Sequence, residues 1–204
     1  MAQITYGLRA ILARPAIYNI QQHLVGANQM RREIVEHYLR PWPGANLLDI
    51  GCGTGAILPH LPAVHYVGLD LSEDYVAIAR AAYGSRATFR ACSASQFEQQ
   101  FDSRFDLILA CGLLHHLEDE EAISLVAQAR RLLAPNGRFV TVDGSWARGQ
   151  SWFARLLLSY DRGRNVRDPD GYYRLARHSF EHVKIDIRHD VLWIPSTLCF
   201  LECS

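Results

Sequence analysis

The chain has 204 residues, which a prior of roughly 150 residues per domain assigns to a single domain. That is long enough to bury a full core without disulfide staples, and 49% apolar with 21% charged residues excludes a disordered or fibrous chain. Lys and Arg number 21, as do Asp and Glu, so no global field draws the protein to DNA, RNA or an anionic membrane, and no nucleic-acid partner is expected.

No stretch of ~18 uncharged apolar residues is present, so no membrane span is expected. The start of the chain, Met1 to Leu12, lacks a basic leader, an apolar block and a small-residue cleavage site, so no signal peptide is expected either. The five cysteines, Cys52, Cys92, Cys111, Cys199 and Cys203, are odd in number and lie mostly in apolar runs. They read as reduced thiols of a cytoplasmic protein, and none of their spacings suggests zinc.

In chain order, residues 1–40 read as helical. Leu8, Ile11 and Leu12 recur at helical spacing, as do Met30, Ile34, Val35, Tyr38 and Leu39, and Pro41, Pro43 and Gly44 end the second run. The pattern then changes. Strands are predicted at Asn46–Ile50, His65–Asp70, Ala87–Ala91, Phe105–Cys111 and Arg138–Asp143. Between them come a glycine turn (Gly51–Gly55) with a short helix ending before Pro62, then helices at Glu73–Tyr83 and Glu118–Leu133. Phe105–Cys111 is continuously apolar, as a strand covered on both faces must be. Strands alternating with helices imply a doubly wound parallel sheet with helices on both faces. After Asp143 the rhythm breaks into a polar, aromatic insertion with one helix, Ser151–Tyr160. Two strands, Val183–Asp190 and Leu198–Cys203, then close the sheet, one of them antiparallel. The expected organisation is an N-terminal helical lid (1–43), a cofactor-binding core (44–143), an insertion on the acceptor side (144–182) and closing strands (183–204).

The most informative stretch is Leu47-Leu48-Asp49-Ile50-Gly51-Cys52-Gly53-Thr54-Gly55. Glycines permit positive φ and let a ligand approach the backbone, and a helix N-terminus would add free N–H groups and partial positive charge. By itself the turn fits two cofactors. Gly51, Gly53 and Ala56 satisfy the dinucleotide pattern, and Asp70, at the end of the next strand, suits ribose hydroxyls in either case. Asp49 discriminates between them. A carboxylate there would repel a pyrophosphate by about 4 kcal/mol at ~4 Å and an effective dielectric near 20. It would attract the amino group of S-adenosylmethionine, which carries no phosphate.

Residues 45–143 resemble the class I S-adenosylmethionine-dependent methyltransferases. The resemblance rests on four motifs in order: Asp49 with Gly51, Gly53 and Gly55; Val67-Gly68-Leu69-Asp70-Leu71-Ser72; Phe105-Asp106-Leu107-Ile108-Leu109-Ala110-Cys111 through Leu114-His115-His116-Leu117; and Leu132-Leu133-Ala134-Pro135-Asn136-Gly137-Arg138. It implies the doubly wound fold with a final antiparallel strand. It further implies that the backbone at Gly51, Cys52 and Gly53 holds the methionyl end beside Asp49, that Asp70 takes the ribose, and that Leu71 packs on the adenine. Where relatives place an acid for the adenine amino group, this chain has Ser93, followed by Ala94. Tyr18 and Gln22 fall where relatives fold a lid over the cofactor. Cys111 stands where metal-dependent members carry an acid, so no metal is expected.

Methyl transfer from an activated sulfonium needs positioning above all, and a base only if the acceptor must lose a proton. His115 and His116, just past the fourth strand, are base candidates at the carboxyl edge where such sheets bind ligands; the alternative is that they cap and pack. Asp143 ends the fifth strand at the same edge. Arg162, Arg164 and Arg167 in the insertion are candidates to hold an anionic group of the acceptor, against an ordinary solvated loop. Trp146, Trp152, Phe153, Tyr160, Tyr172 and Tyr173 either line an aromatic pocket or pack the insertion onto the core. The expected function is methyl transfer to a small-molecule acceptor, with oxygen preferred and a homodimer left open. The alternatives are a non-catalytic S-adenosylmethionine-binding protein and a nicotinamide-dependent oxidoreductase. The latter is disfavoured because the single lysine, Lys184, provides no Tyr-x-x-x-Lys proton donor.

Overall fold

The structure is a computed structural model that describes residues 26–93, 97–98, 101, 104–160 and 165–204. Tyr18, Gln22, Ala94, Arg162 and Arg164 lie outside the described residues. Seven strands form one sheet: β1 (Asn46–Ile50), β2 (His65–Asp70), β3 (Ala87–Ala91), β4 (Phe105–Cys111), β5 (Leu133–Gly144), β6 (Val183–Arg188) and β7 (Leu198–Cys203). Their order is β3-β2-β1-β4-β5-β7-β6. The pairs from β3 through β5 are parallel, and β7 runs antiparallel to both β5 and β6. The order reverses between β1 and β4, which puts a ligand crevice at the carboxyl ends of those strands.

Both faces of the sheet are covered. On one, α1 (Ala27–Glu33), its π-helical continuation Ile34–Leu39 and α2 (Glu73–Tyr83) bury Ile34, Leu39, Val76 and Ala79 against Leu47, Leu107 and Phe200. On the other, α3 (Asp119–Leu132) and α5 (Pro169–Arg177) bury Leu125, Ala129, Tyr172 and Leu175 against Leu48, Ile108 and Phe139. Each such large apolar side chain contributes about 1.5–3 kcal/mol. This two-sided burial is why β4 reads as an unbroken apolar run.

Four local expectations change. The glycine turn leads into a single 3₁₀ turn, Leu58–His60, rather than a helix, since Pro59 and Pro62 break the run that would continue it; no helix dipole is available there. The strand predicted at Arg138–Asp143 begins at Leu133, directly after α3. Phe105 pairs with Leu133 and Leu107 with Arg138, so residues 134–137 loop out as a bulge with Asn136 at φ 63°. Among its described residues the insertion carries two helices, not one. Besides α4 (Trp152–Ser159), α5 starts at the Asp168 cap, whose carboxylate accepts the Gly171 N–H at 2.7 Å, with Pro169 in the first turn. That cap-and-proline start was legible, but the surrounding polar loop obscured it. The predicted Val183–Asp190 strand also ends earlier, at Arg188.

Gly68 on β2 shows how tightly the site is backed. A Cβ there would lie 2.8 Å from both the Cys52 sulfur and a Phe89 ring carbon. Gly68→Ala is therefore expected to destabilise the fold by about 1–3 kcal/mol, seen as a lower urea midpoint at unchanged slope.

Candidate active site

The turn after β1 holds Gly51 at φ 78°, Gly53 at 54° and Gly55 at 73°, left-handed conformations that a side chain would strain. Its amides point inward. The N–H groups of Gly51 and Cys52 both donate to the Leu69 carbonyl, at 2.7 and 2.9 Å. The Gly53 N–H donates to Asp70 Oδ2 at 2.9 Å, and the Gly55 N–H to the Cys52 carbonyl at 3.0 Å. A phosphate needs such donors free. Here they are committed, and two carboxylates flank the turn.

Asp49 is buried and accepts a 2.6 Å hydrogen bond from the Tyr66 hydroxyl. Burial pushes its carboxyl up to about 7; the Tyr66 hydrogen bond and the charge of Arg31 pull down, and Asp70 pushes up. Asp70 also accepts the Ser72 N–H at 2.8 Å, so its carboxylate ties the glycine turn to the start of α2. Burial raises its pKa, opposed by the N–H groups of Ser72, Gly53 and Leu71. Leu71, next along, is 55% exposed at the crevice edge. Ser93 is half-buried just past β3, where Cys92 N–H donates to the Asp70 carbonyl. Cys111 ends β4, and burial beside Asp49 and Asp143 pushes its thiol up to about 12, leaving it neutral.

At the ends of β4 and β5 the structure joins two of the sequence candidates. His115 lies on the 3₁₀ turn Leu114–His116, and its Nδ1 is 2.8 Å from Asp143 Oδ1, with both residues buried. The same oxygen accepts the His115 backbone N–H at 3.2 Å. An acceptor-only carboxylate calls for the Nδ1–H tautomer, in which the lone pair of the neutral ring sits on Nε2. The His116 ring lies against that of His115, with centroids 4.1 Å apart and the planes tilted by 42°. The second oxygen of Asp143 is buried and has no hydrogen-bond partner among the described residues, and the same holds for Nδ2 of Asn165, whose backbone N–H donates to the His115 carbonyl.

Arg167 does not turn to an acceptor. Its guanidinium donates to Asp119 (2.6 and 2.9 Å) and to the carbonyls of Leu114, Asn165 and Leu117 (2.9, 3.0 and 2.8 Å), so it clamps the histidine-bearing turn. All its donor directions are used, which corrects its reading as an anion grip. The aromatic residues of the insertion divide. Tyr172 is buried and donates to the Gly144 carbonyl at 2.8 Å, and Trp146 carries the Arg155 guanidinium over its ring. Trp152, Phe153, Tyr160 and Tyr173 are exposed. Sequence reading missed Tyr66, Arg31 and Asn165. Tyr66 reaches Asp49 through the parallel register that pairs Asp49 with Gly68; a one-dimensional pattern carries no such register.

A parallel sheet of this order, closed by one antiparallel strand and bearing a glycine turn between two acids, defines the class I methyltransferase fold. Residues 47–137 match the family model described as a methyltransferase domain. A ubiquinone biosynthesis O-methyltransferase from Aromatoleum aromaticum is 33% identical over 107 residues, covering 49% of this chain and 45% of that protein. A phosphoethanolamine N-methyltransferase from Zea mays is 25% identical over 193 residues, 92% of this chain and 38% of that one. The chain thus spans less than half the length of these relatives. Among solved structures, the pyocyanin biosynthetic protein PhzM superposes at TM-score 0.75 with 18% identity, over 98% of this chain and 63% of that one. The plantazolicin methyltransferase BamL superposes at 0.70 with 14% identity, over 95% and 92%. The chain thus has the fold of these methyltransferases, and its residues 47–137 carry the match to a methyltransferase domain.

Proposed function

We propose that this protein transfers the methyl group of S-adenosylmethionine to an oxygen of a small-molecule acceptor. The observation that carries the cofactor reading is the commitment of the turn's amides inside the fold between Asp49 and Asp70, a site suited to an ammonium and a ribose and closed to a diphosphate. The bound cofactor supplies an activated methyl group. Asp49 faces its amino end, Asp70 takes ribose hydroxyls through its remaining lone pairs, and Leu71 offers an apolar face to the base. The relatives include an O-methyltransferase and an N-methyltransferase. The His115–Asp143 pair favours oxygen, because a hydroxyl attacking a sulfonium carbon must give up its proton. His115 Nε2 takes that proton, and the buried Asp143 carboxylate balances the resulting imidazolium. Arg167 holds the turn in place. The free cysteines fit a reducing, cytoplasmic setting, and among the described residues no helix is long and apolar enough to cross a membrane.

Calorimetry with S-adenosylmethionine, S-adenosylhomocysteine and NAD in parallel tests the cofactor. Both adenosyl compounds should bind, and binding of NAD alone would reverse the assignment. Asp70→Ala should weaken S-adenosylhomocysteine binding by about 1–3 kcal/mol through lost charge-assisted hydrogen bonds. An unchanged affinity would place the ribose elsewhere.

A further inference from the structure

Helix α4 packs with its apolar side outward. Of its eight residues only Ala154 is buried. Trp152, Phe153, Leu156 and Leu157 are exposed, as is Tyr160 directly after the helix, with Trp152 at 75% and Tyr160 at 65%. These positions, 152, 156 and 160 beside 153 and 157, form one helical stripe. Among the described residues, ten large apolar side chains are exposed, and five of them belong to this stripe. A monomer surface rarely concentrates apolar area in this way without a partner.

The charge around the stripe narrows the partner. Residues 145–160 carry Arg148 and Arg155 and no acid, in a chain whose net charge is zero. Apposing two copies of this face about a two-fold axis would bring the basic sets together, which opposes a self-interface. A leucine and phenylalanine stripe with Trp at one end and Tyr at the other, beside arginines, instead suits the boundary between anionic headgroups and acyl chains. The helix is also fixed at the carboxyl edge. Leu158 seats it on the end of β5, where a Cβ on Gly144 would lie 2.7 Å from Leu158 Cδ1.

We infer that α4 docks the protein on an anionic lipid surface, with the carboxyl edge of the sheet turned toward that surface. The inference stands apart from the methyl-transfer reading, since it concerns lipid binding alone. The test is flotation of the full chain with vesicles of phosphatidylcholine mixed with phosphatidylglycerol, against phosphatidylcholine alone. The wild type should bind the anionic vesicles preferentially. Leu156→Glu and Arg155→Glu should each weaken that binding on the order of tenfold, with the melting temperature unchanged. Trp152→Ser, at the most exposed position of the stripe, should do the same without touching the core. No binding by the wild type, or equal binding by wild type and variants, would overturn the inference. So would a concentration-dependent dimer that Leu156→Glu disperses in analytical ultracentrifugation, because a second copy would then own the face. Protection of residue 152 from acrylamide in the lipid-free monomer, read as the difference between wild type and W152F, would also overturn it, since the chain itself would then cover the stripe.

Discussion

Replacing His115 with alanine is expected to lower turnover by about 10²–10⁴-fold while S-adenosylhomocysteine affinity stays within about twofold. The measurement is S-adenosylhomocysteine released with a panel of hydroxylated small molecules, together with calorimetric binding. The large effect follows from geometry. Asp143 fixes His115 through both its backbone N–H and its ring Nδ1, so the imidazole keeps one tautomer and orientation. Asp143→Asn removes the charge that stabilises the imidazolium, and its amide can present a donor where a carboxylate cannot. It should therefore impair turnover without impairing cofactor binding, and it should alter the pH profile. His116→Ala should act more weakly, since His116 touches the pair through a tilted ring contact. Should His116→Ala abolish turnover while His115→Ala spares it, the base assignment moves by one residue and the role proposed for Asp143 lapses.

The second large effect concerns Asp49. Its carboxyl is raised from 3.8 to about 7, so the folded state binds the proton more tightly than the unfolded chain. Below the unfolded value the group is protonated in both states and adds nothing. As pH climbs from there, ionisation of the unfolded chain favours unfolding, and the penalty is complete once pH passes about 7. At roughly 1.4 kcal/mol per pH unit it reaches about 4 kcal/mol. Asp49→Asn keeps an oxygen for the Tyr66 hydroxyl and loses the titration. The apo wild type should thus lose melting temperature relative to the variant between pH 5 and pH 8. A constant difference across that range would remove Asp49 from the account. A cationic cofactor adds a second signature. An ammonium beside Asp49 stabilises the ionised form, so binding below pH 7 should release a proton and affinity should rise with pH. Calorimetry at pH 6 in two buffers of different ionisation enthalpy reads that proton directly. Equal apparent enthalpies would place the cofactor's amino group away from Asp49.

The two effects share a cause. Each rests on a carboxylate buried at a strand end, Asp49 on β1 and Asp143 on β5, where little solvent remains to support the charge. Asp49 has one hydroxyl partner and waits for a cation. Asp143 has its cation in prospect, the imidazole that becomes positive when it accepts a proton.

The sequence by itself determined β1 to β4, helices α2 and α3, the glycine turn and both acids that flank it. Each of these is local: apolar runs, positive-φ glycines and strand-end acids are written residue by residue. Even the unusual β4, apolar throughout, announced burial on both faces. Only the tertiary structure decided the rest, because it depends on which distant segments meet. The pairing of His115 with Asp143 spans 28 residues and exists because β4 and β5 are neighbours in register. Tyr66 reaches Asp49 across the β1–β2 pairing, and Arg167 spends its guanidinium on a turn some 50 residues earlier. The outward face of α4 was likewise invisible, since an apolar helical stripe reads the same in sequence whether the fold buries it or leaves it in water.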